Sequence, residues 1–380
     1  MPRCPAPLRP APLAGLACAT LAAVAVARAE APRVPGVGRA LAVPASTAAP
    51  ATRAATPAAA TPAAGSAAAA SEQASPPKPD AATPGATPSV GGFRLTGARV
   101  PVAQIVLGGP AKGAIEAIDA PRFATLEQAR WVLAESPVLG LARGGEAHVY
   151  PVHVIERHQV VNDVIAGAPV VVTYDPLAGS PAVYERSVDG RTLDFGVAGL
   201  LYNSNFLLYD RATESLWSQF RGDAVAGELA GARLARIPIR QEPLATFVER
   251  HPGALVLEPP SERIDYRYSP FTTYWVENRI PSRVDAVDPR FHAKEVVLGV
   301  SRDGKSRAYL GSLVTAAGGR VDDEFAGRKL HIEYSSERAV FRYDAPEDVL
   351  VQEAYWFAWK AFHPDTEVWH DPGAIGPLEP

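Results

Sequence analysis

The residues best suited to chemistry lie around a short turn, Asp175–Gly179, which ends an apolar stretch of the chain. Asp175 offers a carboxylate that suits a hard cation, and His158 offers an imidazole nitrogen as a second ligand. A structural role is the alternative for both residues. An aspartate before proline often caps a turn, and a histidine near a helix end often forms hydrogen bonds within the fold. His158 and Asp175 are therefore candidate metal ligands, and the identity of any metal or other cofactor is unknown.

Two further polar groups are candidates for lining a pocket with these residues. Asn162 and Asp163 either reach into the same turn or face a loop between strands. Asn203 and Ser204 follow a glycine-rich run, and they either line a pocket or form the turn hydrogen bonds that Asn and Ser favour. The chain contains no H-E-x-x-H, G-x-S-x-G or P-loop spacing, so hydrolytic chemistry has no support. The sequence therefore predicts a candidate pocket without a catalytic residue, and it leaves open whether the protein is an enzyme.

Strands with short helices must position these side chains. Val160–Ile165 and Pro169–Tyr174 are rich in β-branched residues and flank a turn, which predicts paired and largely buried strands. Hairpin signals recur along the body of the chain, among them Asp189-Gly190. Short helices are predicted over Leu126–Leu133, Pro151–His158, Leu244–Arg250 and Ala354–Phe362. The pattern predicts an α+β fold that is mainly antiparallel β with a few short helices.

An internal repeat organises the body of the chain. Val138–Arg143 matches Val297–Arg302, and Tyr150 then aligns with Tyr309 at the same spacing. The fold is accordingly predicted to be built from two related strand-rich repeats. The first, residues 92–260, carries the candidate site; residues 261–295 connect it to a second, shorter and structural repeat at 296–380.

The N-terminal part of the chain has the pattern of an exported protein. Residues 1–29 combine early arginines, an apolar run and a small-x-small cleavage pattern, which predicts a signal peptide. Residues 30–91 are rich in Ala, Pro and Thr, which predicts a disordered tether. Cys4 and Cys18 both fall in the signal peptide, so the mature body would contain no thiol. We expect a periplasmic or extracellular location.

The charge and the apolar runs of the mature chain argue against nucleic acid binding and against a transmembrane segment. The net charge is −4 without a basic stripe, so nucleic acid is not expected as a partner. After the signal peptide no apolar run is long enough to span a bilayer, so the mature chain is expected to have no transmembrane segment. The ligand or protein partner stays unknown.

Several motifs, in the same order, resemble the domain of unknown function 3179 family over roughly residues 108–369. They are Tyr150-Pro151, His158 with Val161–Asp163, Pro169–Tyr174, Asp189–Leu193, Gly199–Ser204, Tyr209–Arg211, Glu214–Gln219, Phe357–Trp359 and His363–Thr366. The resemblance implies no established activity. Relatives typically carry Cys-Pro-Leu-Cys-Gly where this chain has Asp175–Gly179, which makes this chain a divergent member. A Cys-x-x-Cys pair suits redox chemistry or soft-metal binding, and this chain has lost both thiols.

Two functions follow as expectations. The preferred one is a non-catalytic binding or scaffold module whose ancestral thiol site has decayed. The alternative is a metal-binding or enzymatic protein with a remodelled site that uses His158 and Asp175.

Overall fold

The computed structural model describes residues 87–371 of the chain. The predicted signal peptide and nearly all of the predicted tether lie outside the described residues. Within the described part of the chain, no helix is long and apolar enough to cross a membrane.

The described residues are mostly β, with 41% in strands and 12% in helices. The helices are α1 (Val152–His158), α2 (Leu244–Arg250), α3 (Thr272–Val276), α4 (Gly311–Ala316) and α5 (Trp356–Phe362), besides one 3₁₀ turn at Val102–Gln104. The strands are β1 (Ser89–Val90), β2 (Phe93–Arg94), β3 (Val106–Leu107), β4 (Phe123–Thr125), β5 (Pro137–Arg143), β6 (Glu146–Pro151), β7 (Val160–Ile165), β8 (Ala168–Asp175), β9 (Ser180–Glu185), β10 (Ser187–Val188), β11 (Arg191–Thr192), β12 (Phe195–Tyr202), β13 (Asn205–Asp210), β14 (Leu216–Ser218), β15 (Ala224–Ala226), β16 (Arg236–Ile237), β17 (Arg240–Pro243), β18 (Leu255–Leu257), β19 (Val296–Arg302), β20 (Lys305–Leu310), β21 (Arg320–Phe325), β22 (Arg328–Ser335), β23 (Val340–Asp344), β24 (Leu350–Tyr355) and β25 (Glu367–Val368).

Five sheets are arranged as a five-blade β-propeller. We name them blade 1 (β17-β5-β6-β18-β4), blade 2 (β16-β9-β8-β7), blade 3 (β15-β14-β13-β12-β3), blade 4 (β24-β19-β20-β25) and blade 5 (β21-β22-β23). Neighbouring strands are antiparallel except for β18 beside β6 and β25 beside β20, which are parallel. The pairs β1-β2 and β10-β11 form two additional small hairpins.

The predicted α+β fold of two repeats is wrong, because the chain forms a five-blade propeller. The two matching stretches of sequence, which start at Val138 and Val297, each run through two blades: blades 1 and 2, then blades 4 and 5. The glycine- and asparagine-rich segment between them forms most of blade 3, which has no counterpart. The α-helices are only five to seven residues long, so they connect strands and form no layer of their own.

The centre of blade 2 is buried on both faces. Val160, Val161, Val170, Val171 and Val172 are all 0% exposed. Within β7 and β8 successive residues point to opposite faces, so one face packs against residues of blade 1 and the other against residues of blade 3. The predicted pair of buried strands is confirmed, because continuous runs of β-branched residues suit strands covered on both sides.

The helix predicted over Leu126–Leu133 is wrong. The amides of Gln128 and Ala129 both bond to the carbonyl of Thr125, but this segment continues as turns rather than as a helix. Leu126, Ala129 and Val132 pack on one core cluster, and turns can place residues at this spacing on one face as well as a helix can. The helices predicted before His158 and over Leu244–Arg250 are confirmed.

Candidate functional site

The turn after β8 is organised by the side chain of Asp175. Its Oδ1 accepts hydrogen bonds from the backbone N–H groups of Leu177 (2.8 Å) and Ala178 (3.2 Å). Its Oδ2 accepts from Asn205 Nδ2 (2.7 Å) and from the backbone N–H of Phe206 (2.9 Å). The carboxylate therefore caps its own turn and also joins blade 2 to β13 in blade 3.

Burial sets the protonation of Asp175. The side chain is 0% exposed, and this burial raises its pKa to about 6 although the four donors oppose the shift. At neutral pH the group is ionised, and each oxygen accepts two hydrogen bonds within the fold.

A buried amide network extends from Asp175. Asn205 Nδ2 also donates to Gln219 Oε1 at 2.8 Å, and Gln219 Nε2 donates to Thr173 Oγ1 at 3.0 Å. Ser180 Oγ donates to the same Gln219 oxygen at 3.1 Å. All four of these polar side chains are 0% exposed, so their hydrogen bonds replace those that water would provide.

His158 lies at the end of α1, in a different set of contacts. Its Nδ1 donates to the carbonyl of Glu116 at 2.8 Å, and its Nε2 accepts from the hydroxyl of Tyr266 at 2.8 Å. Burial lowers the pKa of His158, so the neutral imidazole with both nitrogens paired is the favoured form. His158 and Asp175 share no hydrogen-bond partner.

Asn162 and Asp163 are neighbours in β7 with separate roles. The Asn162 side chain donates to the carbonyl of Phe195 (2.9 Å) and accepts from its N–H (3.0 Å), and it also donates to Asp119 (2.8 Å). It therefore links blade 2 to the first residue of β12 in blade 3. Asp163 instead faces blade 1, where its Oδ2 accepts from the hydroxyl of Tyr150 at 2.6 Å.

Asn203 and Ser204 form the tight turn between β12 and β13. Their φ values of 53° and 57° are left-handed, a conformation that Asn tolerates better than most residues. Asn203 exchanges hydrogen bonds with Asp285, and the Ser204 hydroxyl bonds to Ser282. This turn therefore anchors the chain segment that leads into blade 4.

No group of three His, Cys, Asp or Glu side chains in the described part of the chain is arranged to hold a metal. The six predicted site residues accordingly fall into separate contact sets rather than one shared pocket.

Comparison with known proteins gives one finding. A family model described as "Protein of unknown function (DUF3179)" matches residues 112–348, more than half of the chain. The chain belongs to the DUF3179 family. No curated protein and no solved structure matches the chain. The resemblance seen in the sequence motifs is confirmed, and the family description carries no activity.

His148 is a feature of this DUF3179 member that sequence reasoning missed. Its Nδ1 donates to Asp163 Oδ2 at 2.8 Å, beside the bond from Tyr150. The ring lies 4.1 Å, centroid to centroid, from that of Phe123 and is 7% exposed. The internal repeat could have pointed to His148. Arg307 and Tyr309 in β20 align with His148 and Tyr150, and both of them bond to Asp323.

The His148 ring lines a cleft of about 620 Å³ between the end of the β5-β6 hairpin and the segment that follows α2. We call it the His148 cleft. Its polar and apolar lining includes Arg143, Glu146, His148, Arg250, His251 and Leu255. This cleft brings together five ionisable side chains, whereas Asp175 and His158 lie among their own partners.

Two further carboxyl groups of this DUF3179 member are buried, and each lacks a hydrogen-bond partner for one of its oxygens. Glu156 is 1% exposed and Glu353 is 6% exposed, and one oxygen of each has no hydrogen-bond partner. Burial raises the pKa of Glu353 to about 8, and the nearby Glu242 adds to the effect. Glu353 is therefore protonated at neutral pH.

Proposed function

We propose that this DUF3179 protein is an exported, non-catalytic binding or scaffold module. In this proposal the turn Asp175–Gly179 is a structural clamp that has replaced a thiol site. Export is inferred from the signal-peptide pattern of residues 1–29.

The observation that carries the proposal is the coordination of Asp175. A carboxylate that accepts four hydrogen bonds at 0% exposure has its lone pairs directed at protein donors. A metal ligand or a general base needs at least one lone pair directed at the ion or the substrate. Asp175 therefore fits a clamp between blade 2 and blade 3 better than it fits a reactive group.

The pairing of His158 supports the same function. Both ring nitrogens hold protein partners at 2.8 Å, so the imidazole has no free nitrogen for an ion. The competing function, a metal or enzymatic site that uses His158 and Asp175, would require both residues to exchange these partners for a ligand.

Elemental analysis of the purified full-length protein, combined with Asp175→Ala, tests the proposal. We expect no stoichiometric metal in the native protein. We expect Asp175→Ala to lower the free energy of unfolding by about 3 kcal/mol or more, because it leaves buried N–H donors unpaired. Chemical denaturation followed by tryptophan fluorescence measures this loss.

Asp175→Asn is the matched variant. Its amide keeps the shape and one acceptor oxygen, so it should lose less stability than the alanine variant but still weaken the bonds from Asn205 and Phe206. A stoichiometric metal that disappears with either substitution would show that the turn is a metal site and would overturn the proposal.

A further inference from the structure

The turn after β22 in blade 5 is the equivalent of the turn that Asp175 organises in blade 2. Strands β8 and β22 are both eight residues long, and each is followed by a four-residue turn, at 176–179 in blade 2 and at 336–339 in blade 5. The last residue of each turn is left-handed, with φ values of 59° and 51°. Ser335 therefore occupies in blade 5 the position that Asp175 occupies in blade 2.

The two turns differ in what covers them. In blade 2 the backbone N–H of Tyr355 donates to the carbonyl of Ala178 at 2.7 Å, and blade 3 covers the turn as well. In blade 5 the place of Tyr355 is taken by Pro243, since each of these residues pairs with the first residue of the neighbouring strand, β19 or β5. Blade 3 has no counterpart there. Residues 335–339 are accordingly all exposed, and this turn and Pro243 line a cleft of about 430 Å³, which we call the Arg338 cleft.

Three arginines line the Arg338 cleft from three separate segments. Arg320 begins β21, Arg338 lies in the turn after β22, and Arg342 lies in β23. One acidic residue, Glu333, belongs to the same lining. Three guanidinium groups and one carboxylate leave an excess of two positive charges in a chain whose net charge is −4. The cleft therefore has a local charge opposite in sign to that of the chain, which favours an anion.

Two of these guanidinium groups have no acidic partner in the described part of the chain. Glu333 lies opposite both Arg320 and Arg342 in the sheet, but of the two only Arg320 is within ion-pair distance of its carboxylate, at 3.8 Å. Arg342 donates to the neutral hydroxyl of Thr246 at 3.2 Å. The side chain of Arg338 has neither a hydrogen bond nor an ion pair with a described residue. Guanidinium groups stay protonated in proteins, so these positive charges do not depend on pH.

We propose that the Arg338 cleft binds the phosphate or sulfate group of a small ligand. A tetrahedral oxyanion presents oxygens in several directions, so it can accept hydrogen bonds from guanidinium groups on separate segments, whereas a carboxylate presents two oxygens in one plane. The Ser335 hydroxyl, which also lines the cleft, provides a further donor. This inference deepens the proposed function, on which it rests, because it assigns a binding surface and a ligand class to the module.

The test is a calorimetric titration of the full-length protein with sodium phosphate, sodium sulfate and sodium acetate. Sodium chloride at matched ionic strength is the reference, which removes general screening effects. We expect saturable binding of phosphate or sulfate that is about tenfold or more tighter than that of acetate, because acetate reaches fewer of the guanidinium donors. The tighter of the two tetrahedral anions identifies the group that the ligand carries.

Ser335→Asp is the decisive variant, and Ser335→Asn is its matched control. The aspartate places in the cleft the carboxylate that Asp175 carries in blade 2, and it should weaken binding of the tetrahedral anion about tenfold or more. Position 335 is exposed, so both variants should keep the fold. The asparagine has the same shape without the charge, so its affinity should stay close to that of the native protein.

A pair of arginine variants locates the binding site. Arg338→Ala should weaken binding about tenfold, whereas Arg263→Ala, which removes an exposed arginine outside the cleft, should bind like the native protein.

Four results would overturn the proposal: no saturable binding of phosphate or sulfate, acetate binding of equal strength, equal affinities of the two Ser335 variants, or equal affinities of the two arginine variants. A stoichiometric metal that is lost in Asp175→Ala would contradict the proposed function without changing these titrations, so the two failures are distinguishable.

Discussion

Asp175 and Glu353 are buried carboxyl groups whose surroundings give them different charges at neutral pH. Asp175 receives four hydrogen bonds and has a pKa of about 6, so it is ionised. Glu353 has one oxygen without a partner and a pKa of about 8, so it keeps its proton. Both groups are desolvated, so the contrast comes from the larger number of donors that reach Asp175 and from the charge of Glu242 near Glu353.

Glu353 should make the stability of the protein depend on pH. Its folded pKa of about 8 lies above its ordinary value of 4.5, so between these values the folded state binds the proton more tightly than the unfolded state. Its contribution to stability is present below pH 4.5 and is lost as the pH rises towards 8. We therefore expect Glu353→Gln to gain stability relative to the native protein as the pH rises across this window.

Urea denaturation at several pH values measures this effect. The exposed Glu337, changed to Gln, is the matched control and should follow the native protein across the range. A constant difference between Glu353→Gln and the native protein at every pH would show that Glu353 does not titrate in the expected window.

At the scale of elements, glycines allow the short helices to approach the sheets. A Cβ on Gly140 in β5 would lie 2.2 Å from Phe247 Cδ2, and one on Gly299 in β19 would lie 2.2 Å from Trp359 Cε3. Phe247 belongs to α2 and Trp359 to α5, and both rings are buried. The helix that follows each matching stretch therefore packs an aromatic ring directly on a strand backbone.

Gly140→Ala should destabilise the protein by about 1–3 kcal/mol, because the added methyl group overlaps the Phe247 ring and forces the helix outwards. The change in free energy of unfolding measures this cost. Gly253→Ala is the control, since nothing lies within 4 Å of the position of its Cβ. Equal stability of the two variants would mean that α2 moves without cost.

At the scale of the whole molecule, polar side chains in blade 2 connect it to blade 3. Asn162 bonds to both backbone groups of Phe195, while Asp175 bonds to Asn205 and Phe206. Between these bonds the two blades share an apolar core that includes Trp217, which is 0% exposed. The contacts indicate that blades 2 and 3 unfold together.

Asn162→Ala tests this coupling. It leaves the N–H and carbonyl of Phe195 unpaired in a buried setting, at a cost of roughly 1–3 kcal/mol for each group. We expect a lower melting temperature with one cooperative transition, measured by calorimetry. Ser336→Ala, at an exposed position, should melt like the native protein. Two separate transitions in Asn162→Ala would show that this single contact holds the blades together.

The sequence by itself determined several of the local elements and the family. Runs of β-branched residues predicted β7 and β8, proline and apolar spacing predicted α1 and α2, and motif order predicted membership of DUF3179. These features follow from backbone preference and short-range pattern, which the sequence states directly.

Tertiary structure decided how the sheets assemble and which polar residues meet. The match between Val138 and Val297 is visible in sequence, but five blades arise from packing between sheets that are distant along the chain. Likewise His148 meets Asp163 only because β6 and β7 lie in adjacent blades, while Asp175 finds Asn205 across blades 2 and 3. Side-chain partners of this kind depend on long-range register, which no local pattern of residues specifies.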